Sequence, residues 1–395
     1  MAASRRVVWF INIAHALDHL VMLIYPTAVL GMGASFGGSY GSLLALSLGG
    51  FIAFGAGSLP AGWLGDLWSR RNMMAVFFFG AGAATALTAI STTPFMLAAA
   101  LTLVGAFAAI YHPVGTAMLV SHADDRLGRT IGVNGVWGNL GVAFAALLTG
   151  GITEWLGWRW AFVVPGAIAV ALGFAFLAMV PDERGTKKAM KRAAAPLPRG
   201  VVIHAFSVLA LVTIAGSVVF NATTVSMPKV FDERLRDLTQ TNLGLGALVA
   251  FVYSVAAFAQ VVVGTLIDRF EMRRLMITMA LCQIPLLVLA ANSQGWVMLG
   301  AAILMMLAVF GQIPLNDAIV GRYCADEYRS RVYAVRYVVT FCVAAVAVPL
   351  ISLLHGTAGG FRSVFLVLAC LATAILAAAL FFPSRRALGS QAVPA

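Results

Sequence analysis

The sequence predicts an all-α membrane protein of twelve transmembrane helices, arranged as two related six-helix bundles. Three observations predict it. Hydrophobic residues make up 61% of the 395 positions and charged residues only 10%, whereas a soluble domain carries roughly 25% charged residues. Apolar runs of about 20 residues recur, joined by loops too short to be domains. And the stretch Gly62-Trp63-Leu64-Gly65-Asp66-Leu67-Trp68-Ser69-Arg70-Arg71 returns 202 residues later as Gly264-Thr265-Leu266-Ile267-Asp268-Arg269-Phe270-Glu271-Met272-Arg273-Arg274. Each copy leaves an apolar run, turns at Gly and Asp, and ends on paired arginines.

The spans follow in order. Span 1, near 7–30, comes after Arg5 and Arg6; it is too long for a signal-peptide core and no small-residue cleavage site follows. Span 2, near 41–63, runs into the first copy of the repeated loop, and span 3, near 73–91, starts beyond its arginines. Span 4, near 94–120, carries Pro113; the missing N–H of a proline predicts a kink there. Span 5, near 130–152, has Gly132, Gly135, Gly138 and Gly141 on a three-residue step, the kind of small-residue face that lets membrane helices approach. Span 6, near 158–180, opens on Gly157-Trp158-Arg159-Trp160-Ala161-Phe162. A polar segment from Pro181 to Gly200, with Lys187, Lys188, Lys191 and Arg192, separates the halves. Spans 7 to 12 lie near 201–228, 243–266, 275–292, 295–322, 332–354 and 361–382. Pro314 in span 10 matches Pro113 at an offset of 201, and each is followed by a polar turn ending in arginines, Arg126 to Arg129 and Arg329 to Arg331. The expected domains are 1–180, a linker at 181–200, and 201–395. Two parallel halves, each with nested inverted repeats, are a known transporter architecture.

The net charge of +11 would suggest nucleic acid in a soluble protein. Here the Lys and Arg residues recur in alternate inter-helix loops, which is a topology signal and excludes a nucleic-acid face. The N-terminus, the even-numbered connections and the C-terminus hold about twenty of them; the other side holds Arg159, Lys229, Arg234, Arg236 and Arg362, and Arg336 falls inside a span. Both termini are therefore expected in the cytoplasm, on a multi-pass protein of the cytoplasmic membrane. Cys282, Cys324, Cys342 and Cys370 show neither metal-ligand spacing nor a disulfide pattern; they read as small buried hydrophobes.

With these residues the chain resembles the major facilitator superfamily over essentially its whole length. Gly62, Asp66, Arg70 and Arg71 match the signature loop of that family, as do Gly264, Asp268, Arg269, Arg273 and Arg274 with one extra residue before the final pair. Position 67 is Leu where the family usually has a basic residue, span 4 lacks the arginine common in drug–proton antiporters, and no proline stands beside the span 5 glycines. Within the family, His15-x-x-Asp18 followed by Pro26, with Tyr111-His112-Pro113, is similar to the fosmidomycin-resistance group. The resemblance implies a major facilitator fold, alternating access, a cavity lined by spans 1, 4, 7 and 10, and export of drugs or metabolites. It also implies that the repeated loop gates: its aspartates would meet neighbouring helix starts, whose free N–H groups and dipole favour a carboxylate, when the cavity faces outward. The alternative for the arginines is that they set topology and contact lipid phosphates.

Charges in the bilayer core are expensive, so each needs a reason. His15, Asp18 and His19 stand at i, i+3 and i+4, on one face of span 1. They are the candidates for proton coupling: burial disfavours the charge of Asp18, a protonated neighbour favours it, and a group between those influences can change charge during a cycle. A static His–Asp hydrogen bond is the other reading. With His112 they are also legitimate ligands for Zn, Ni or Co, the less favoured reading, so no resident metal is expected. Candidate substrate contacts are His112 beside the kink; Asn134 and Asn139 on span 5; Asn221 and Thr224, which with Ser217 form a polar stripe on span 7; Tyr253 and Gln260 on span 8; Gln312, Asn316 and Asp317 on span 10; and Arg336 and Tyr337 on span 11. Helix–helix hydrogen bonding is the alternative for these stripes. Asp317 and Arg336 would make an ion pair; alternatively Arg336 attracts an anionic substrate group or snorkels to the interface. Gly33-Ala34-Ser35-Phe36-Gly37 spells G-x-S-x-G but falls in a short loop between apolar spans, without the strand-to-helix turn of a nucleophile elbow. No catalytic residue and no cofactor are expected. The expected activity is secondary active transport of a small organic solute, by proton-coupled efflux, with import or facilitated passage of an organic anion as the alternative and divalent metal transport as a third. The expected partners are that solute, protons and membrane lipids, with no nucleic acid, and the chain is expected to act as a monomer.

Overall fold

The computed structural model describes residues 2–122, 127–181, 199–267, 269–323 and 326–383. Asp268, Arg126, Cys324 and the linker residues Lys187, Lys188, Lys191 and Arg192 lie outside them. Among the described residues all regular structure is helical. In the first half the helices are α1 Ala2–Ala28, α2 Gly33–Phe36, α3 Tyr40–Ala45, α4 Leu48–Leu67, α5 Arg70–Thr88, α6 Pro94–Ala108, α7 Thr116–His122, α8 Leu127–Leu156 and α9 Trp160–Met179, with a 3-10 turn at Val29–Gly31 and a π-helix at Tyr111–Gly115. In the second half they are α10 Arg199–Arg234, α11 Asn242–Ile267, α12 Met272–Asn292, α13 Gly295–Tyr323, α14 Asp326–Ala344, α15 Ala347–His355 and α16 Gly360–Leu380.

Among the described residues eleven helical segments are long and apolar enough to cross a membrane. The twelfth span is α5, whose 19 residues begin Arg70-Arg71-Asn72; those three polar residues dilute an otherwise apolar helix. Local chemistry sets several boundaries. Ser69 caps α5 by accepting from the Asn72 N–H at 3.2 Å, and Thr93 caps α6 by accepting from the Met96 N–H at 3.2 Å, with Pro94 at the first helical position. The G-x-S-x-G stretch forms the single turn α2, closed by Gly37 at φ 66°; it is no strand-to-helix elbow.

The end of span 7 differs from the sequence expectation. Span 7 continues as helix to Arg234 rather than ending near 228. The reason is a run of charges at helical spacing: Lys229 reaches Asp232 at 2.7 Å and Glu233 at 3.6 Å, and Arg236 also donates to Asp232. Such i,i+3 and i,i+4 pairs extend a helix beyond its apolar part.

The chain folds as two compact units, Met1–Ala189 with Val225–Phe251, and Met190–Thr224 with Val252–Ala395. In the first, α1 packs on α8, α5 on α9 and α6, and α4 on α6. Its core is aromatic and aliphatic, around Phe10, Ile11, Phe77, Phe78, Tyr111 and Phe176. The second unit repeats the arrangement of the third and sixth spans, with α12 on α16 and α13, around Val212, Leu275, Leu315, Ile319 and Phe382. Gly50 and Gly105 let α4 and α6 touch backbone to backbone, so that a Cβ on Gly105 would collide with the Gly50 carbonyl.

Candidate functional site

Pro113 removes an N–H inside span 4 and crowds the preceding turn. The chain answers with the π-helix Tyr111–Gly115 between α6 and α7, the form in which such interruptions appear. Tyr111 and His112 lie at its start, both buried, and both meet the polar face of α1. The His15 ring stacks on Tyr111 with centroids 4.8 Å apart. It lies 5.0 Å from His19 and 5.5 Å from His112, and His19 is 5.6 Å from His112. Asp18 is fully buried, and its Oδ2 is 3.3 Å from His112 Nε2. Neither Asp18 oxygen takes a hydrogen bond among the described residues. The structure thus gathers His15, Asp18, His19 and His112 from two spans into one place.

A third span supports them. The His15 Nδ1 lies 2.7 Å from the Asn134 carbonyl on α8. A carbonyl only accepts, so the proton sits on Nδ1 and the neutral ring presents Nε2 as a lone pair. The Asn134 side chain donates to Asn12 Oδ1 at 3.0 Å and meets the Tyr111 hydroxyl at 3.0–3.2 Å. Asn12 was absent from the sequence candidates, although it precedes His15 by three residues and shares its face. The glycine step on span 5 divides in two. A Cβ on Gly138 would lie 2.6 Å from the His15 ring and one on Gly141 would strike the α1 backbone, while nothing stands within 4 Å of Gly132 or Gly135. Asn139 is half-buried on the same helix.

In the second unit the polar candidates fall into separate contacts. Asn221 donates back to the Ser217 carbonyl at 2.9 Å, and Thr224 to the Phe220 carbonyl at 2.8 Å, both within α10. The buried Tyr253 donates to the Thr224 carbonyl at 2.9 Å and faces Phe310 with centroids 6.0 Å apart, joining spans 7, 8 and 10. Gln260 is half-buried. Gln312 accepts from Gln283 Nε2 at 2.7 Å. Gln283 is fully buried on α12, and the sequence candidates missed it. Asn316 is also buried. Arg336 donates to Asp317, joining spans 10 and 11, and its guanidinium stands 5.7 Å from the Tyr337 ring.

The two copies of the repeated loop share one contact and differ in others. Arg71 donates to the Val180 and Leu177 carbonyls at 2.7 and 2.6 Å. Its counterpart Arg273 donates to the Leu380 carbonyl at 2.6 Å. Both therefore cap the carbonyl end of the last helix of their half, where free carbonyls and the helix dipole favour a cation. Asp66 accepts from Arg70 at 2.7 Å within its own loop, both side chains well exposed. Arg274 reaches Glu271 at 3.4 Å, and Arg269 is exposed.

The glycines differ too. A Cβ on Gly62 would lie 3.1 Å from Pro113, whereas nothing stands within 4 Å of Gly264. The same substitution should therefore act oppositely in the two copies. Gly264→Ala is expected to stabilise by up to about 1 kcal/mol through helix propensity. Gly62→Ala is expected to destabilise by about 1–2 kcal/mol, because the rigid proline ring cannot give way. Thermal unfolding of both variants in detergent checks this; equal shifts would remove the Gly62–Pro113 contact as a structural constraint.

The comparisons agree with this architecture. The family model of the Major Facilitator Superfamily matches residues 9–254 and 209–394. Among curated proteins, the puromycin resistance protein pur8 of Streptomyces alboniger is 33% identical over 143 residues, covering 35% of this chain and 28% of that one. The probable actinorhodin transporter of Streptomyces coelicolor is 29% identical over 181 residues, covering 44% and 30%. The matches thus span less than a third of either relative. Among solved structures, a bacterial homologue of the human lysosomal transporter Spinster superposes with TM-score 0.77 at 14% identity, covering 97% of this chain and 95% of that one. A D-xylose–proton symporter gives 0.75 at 15% identity, covering 95% and 96%. At such identities these two likenesses speak for the fold, while the family model covers both halves: the chain is a multi-pass membrane protein of the Major Facilitator Superfamily.

Proposed function

We propose that this transporter exports a small organic compound across the cytoplasmic membrane by alternating access, with the proton gradient as driving force and both termini in the cytoplasm. The observation that carries the export reading is the pair of curated relatives, one named for resistance to puromycin and one as a probable transporter of actinorhodin. The proton gradient as driver draws support from a solved chain of the same fold that is a proton symporter. In this reading Asn221, Gln312 and Asn316 contact the substrate in the second half, and the repeated loops around Asp66 and Asp268 gate the cytoplasmic side. Import of an organic anion would lean on Arg336, but its charge is already met by Asp317.

The test is accumulation in a host stripped of its own exporters. Cells expressing the chain should accumulate less of at least one compound in a panel of organic antibiotics that includes puromycin. The difference should vanish when a protonophore collapses the gradient. Greater accumulation on expression would overturn export in favour of import, and export indifferent to the protonophore would remove proton coupling.

A further inference from the structure

We propose that His15, His19 and His112, with Asp18 as a fourth donor, form a binding site for a divalent transition-metal ion of the zinc, nickel and cobalt class. The geometry carries the inference. The three imidazoles each present a ligand nitrogen, and these nitrogens all lie within 4.8 Å of one another. His15 and His19 sit at i and i+4 on α1, the spacing at which two histidines on one helix share an ion. His112 comes from the second span, so the site joins two helices of one unit. Two donors on a tetrahedral ion with bonds of ~2.0–2.1 Å stand about 3.3 Å apart, which is the distance from Asp18 Oδ2 to His112 Nε2, 3.3 Å. Binding would set the imidazole nitrogens, now within 4.8 Å of one another, at that same spacing.

Two surrounding features fit an ion. The Asn134 carbonyl holds the His15 Nδ1 at 2.7 Å, the outer contact that metal-ligating histidines make to fix tautomer and ring direction. Gly138 leaves the room in which that ring lies. Asp18 is a fully buried carboxyl whose oxygens take no hydrogen bond among the described residues. A carboxylate buried in that position would call for a cation beside it, and His19 meets His15 and His112 ring to ring. Imidazole nitrogens with one carboxylate select zinc, nickel or cobalt over magnesium or calcium, which take oxygen ligands.

The inference stands apart from the export reading, because binding is measured without transport. The full chain, purified without a polyhistidine tag and stripped with a chelator, is titrated with zinc, nickel and cobalt chlorides by calorimetry. Cobalt binding is followed by its visible ligand-field bands. One ion per chain is expected. His19→Ala and His112→Ala should abolish binding, and Asp18→Asn should weaken it by about 10–100-fold. His122→Ala and His204→Ala, at histidines outside the cluster, should bind as the parent does. Thermal unfolding confirms that each variant is folded, and His15→Gln replaces any alanine variant that is not. No ion bound by the folded parent, as for a cluster that serves protons alone, would overturn the proposal; so would binding that survives His19→Ala and His112→Ala together. A chain that binds metal but changes the accumulation of no organic compound overturns the export reading and leaves this one standing.

Discussion

Asp18→Asn is expected to leave the protein at least as stable as the parent while lowering transport at least about tenfold, the change that about 1.4 kcal/mol makes in a rate. The first half follows from what Asp18 does not do. Its side chain is fully buried, and neither oxygen accepts a hydrogen bond among the described residues. An unsatisfied buried polar group costs about 1–3 kcal/mol, and a charged one more. His112 at 3.3 Å offsets that cost only when it carries a proton. Asparagine keeps the shape and removes the charge, so the fold loses little. The second half follows from the company Asp18 keeps: His15, His19 and His112 gather around it, in the first unit of a membrane protein of the Major Facilitator Superfamily. A group retained there at a cost to stability needs a functional reason. Thermal unfolding in detergent and flux in proteoliposomes measure the two halves on one variant. A static His–Asp contact that ties the spans together gives the opposite pattern, a lower unfolding temperature with transport retained. That result would end the functional reading of Asp18.

The fold was legible because the bilayer imposes length. Runs of about 20 apolar residues leave few choices, and the repeat at an offset of 202 doubled every inference about the loops. Hydropathy served least well where charge and helix coexist. Lys229, Asp232 and Arg236 end an apolar run yet prolong α10, because they pair along the helix, and Arg71 sits in α5 while capping α9 through Leu177 and Val180. The candidate site was legible in part for a similar reason. Helical period alone puts His15, Asp18 and His19 on one face. It cannot bring in His112, whose approach depends on the π-helix that Pro113 induces. Asn134 was readable only as a polar residue in span 5. That it holds Asn12, His15 and Tyr111 together is a tertiary fact, with partners up to 122 residues away. Gln283 stands among mostly apolar neighbours in its own span, and its meaning appears when Gln312 is seen across from it. Asp66 shows the limit from the other side: family resemblance points it at a neighbouring helix, and here it accepts from Arg70 in its own loop.

The pair Asp317–Arg336 should respond unequally to its two single substitutions. The Arg336 side chain is 11% exposed and that of Asp317 42%. Guanidinium stays charged in proteins, so Asp317→Asn leaves a mostly buried cation facing a neutral amide. Removing one partner of a fully buried pair costs about 3–5 kcal/mol; water at Asp317 screens this one, and about 1–2 kcal/mol is the fitting expectation. Arg336→Met leaves a carboxylate that water reaches and keeps the aliphatic volume, so its cost should stay under about 1 kcal/mol. The double variant should then recover most of what Asp317→Asn loses, as coupled neighbours do. Transport separates the remaining readings. If the pair only joins spans 10 and 11, flux returns in the double variant together with stability. If Arg336 draws an anionic group of the substrate, flux is lost in Arg336→Met and in the double variant alike, whatever stands at 317. Snorkelling predicts a third pattern, in which Asp317→Asn costs nothing because the guanidinium leaves for the interface. The ion pair and the low exposure of Arg336 argue against that third pattern, since its guanidinium is already held by Asp317.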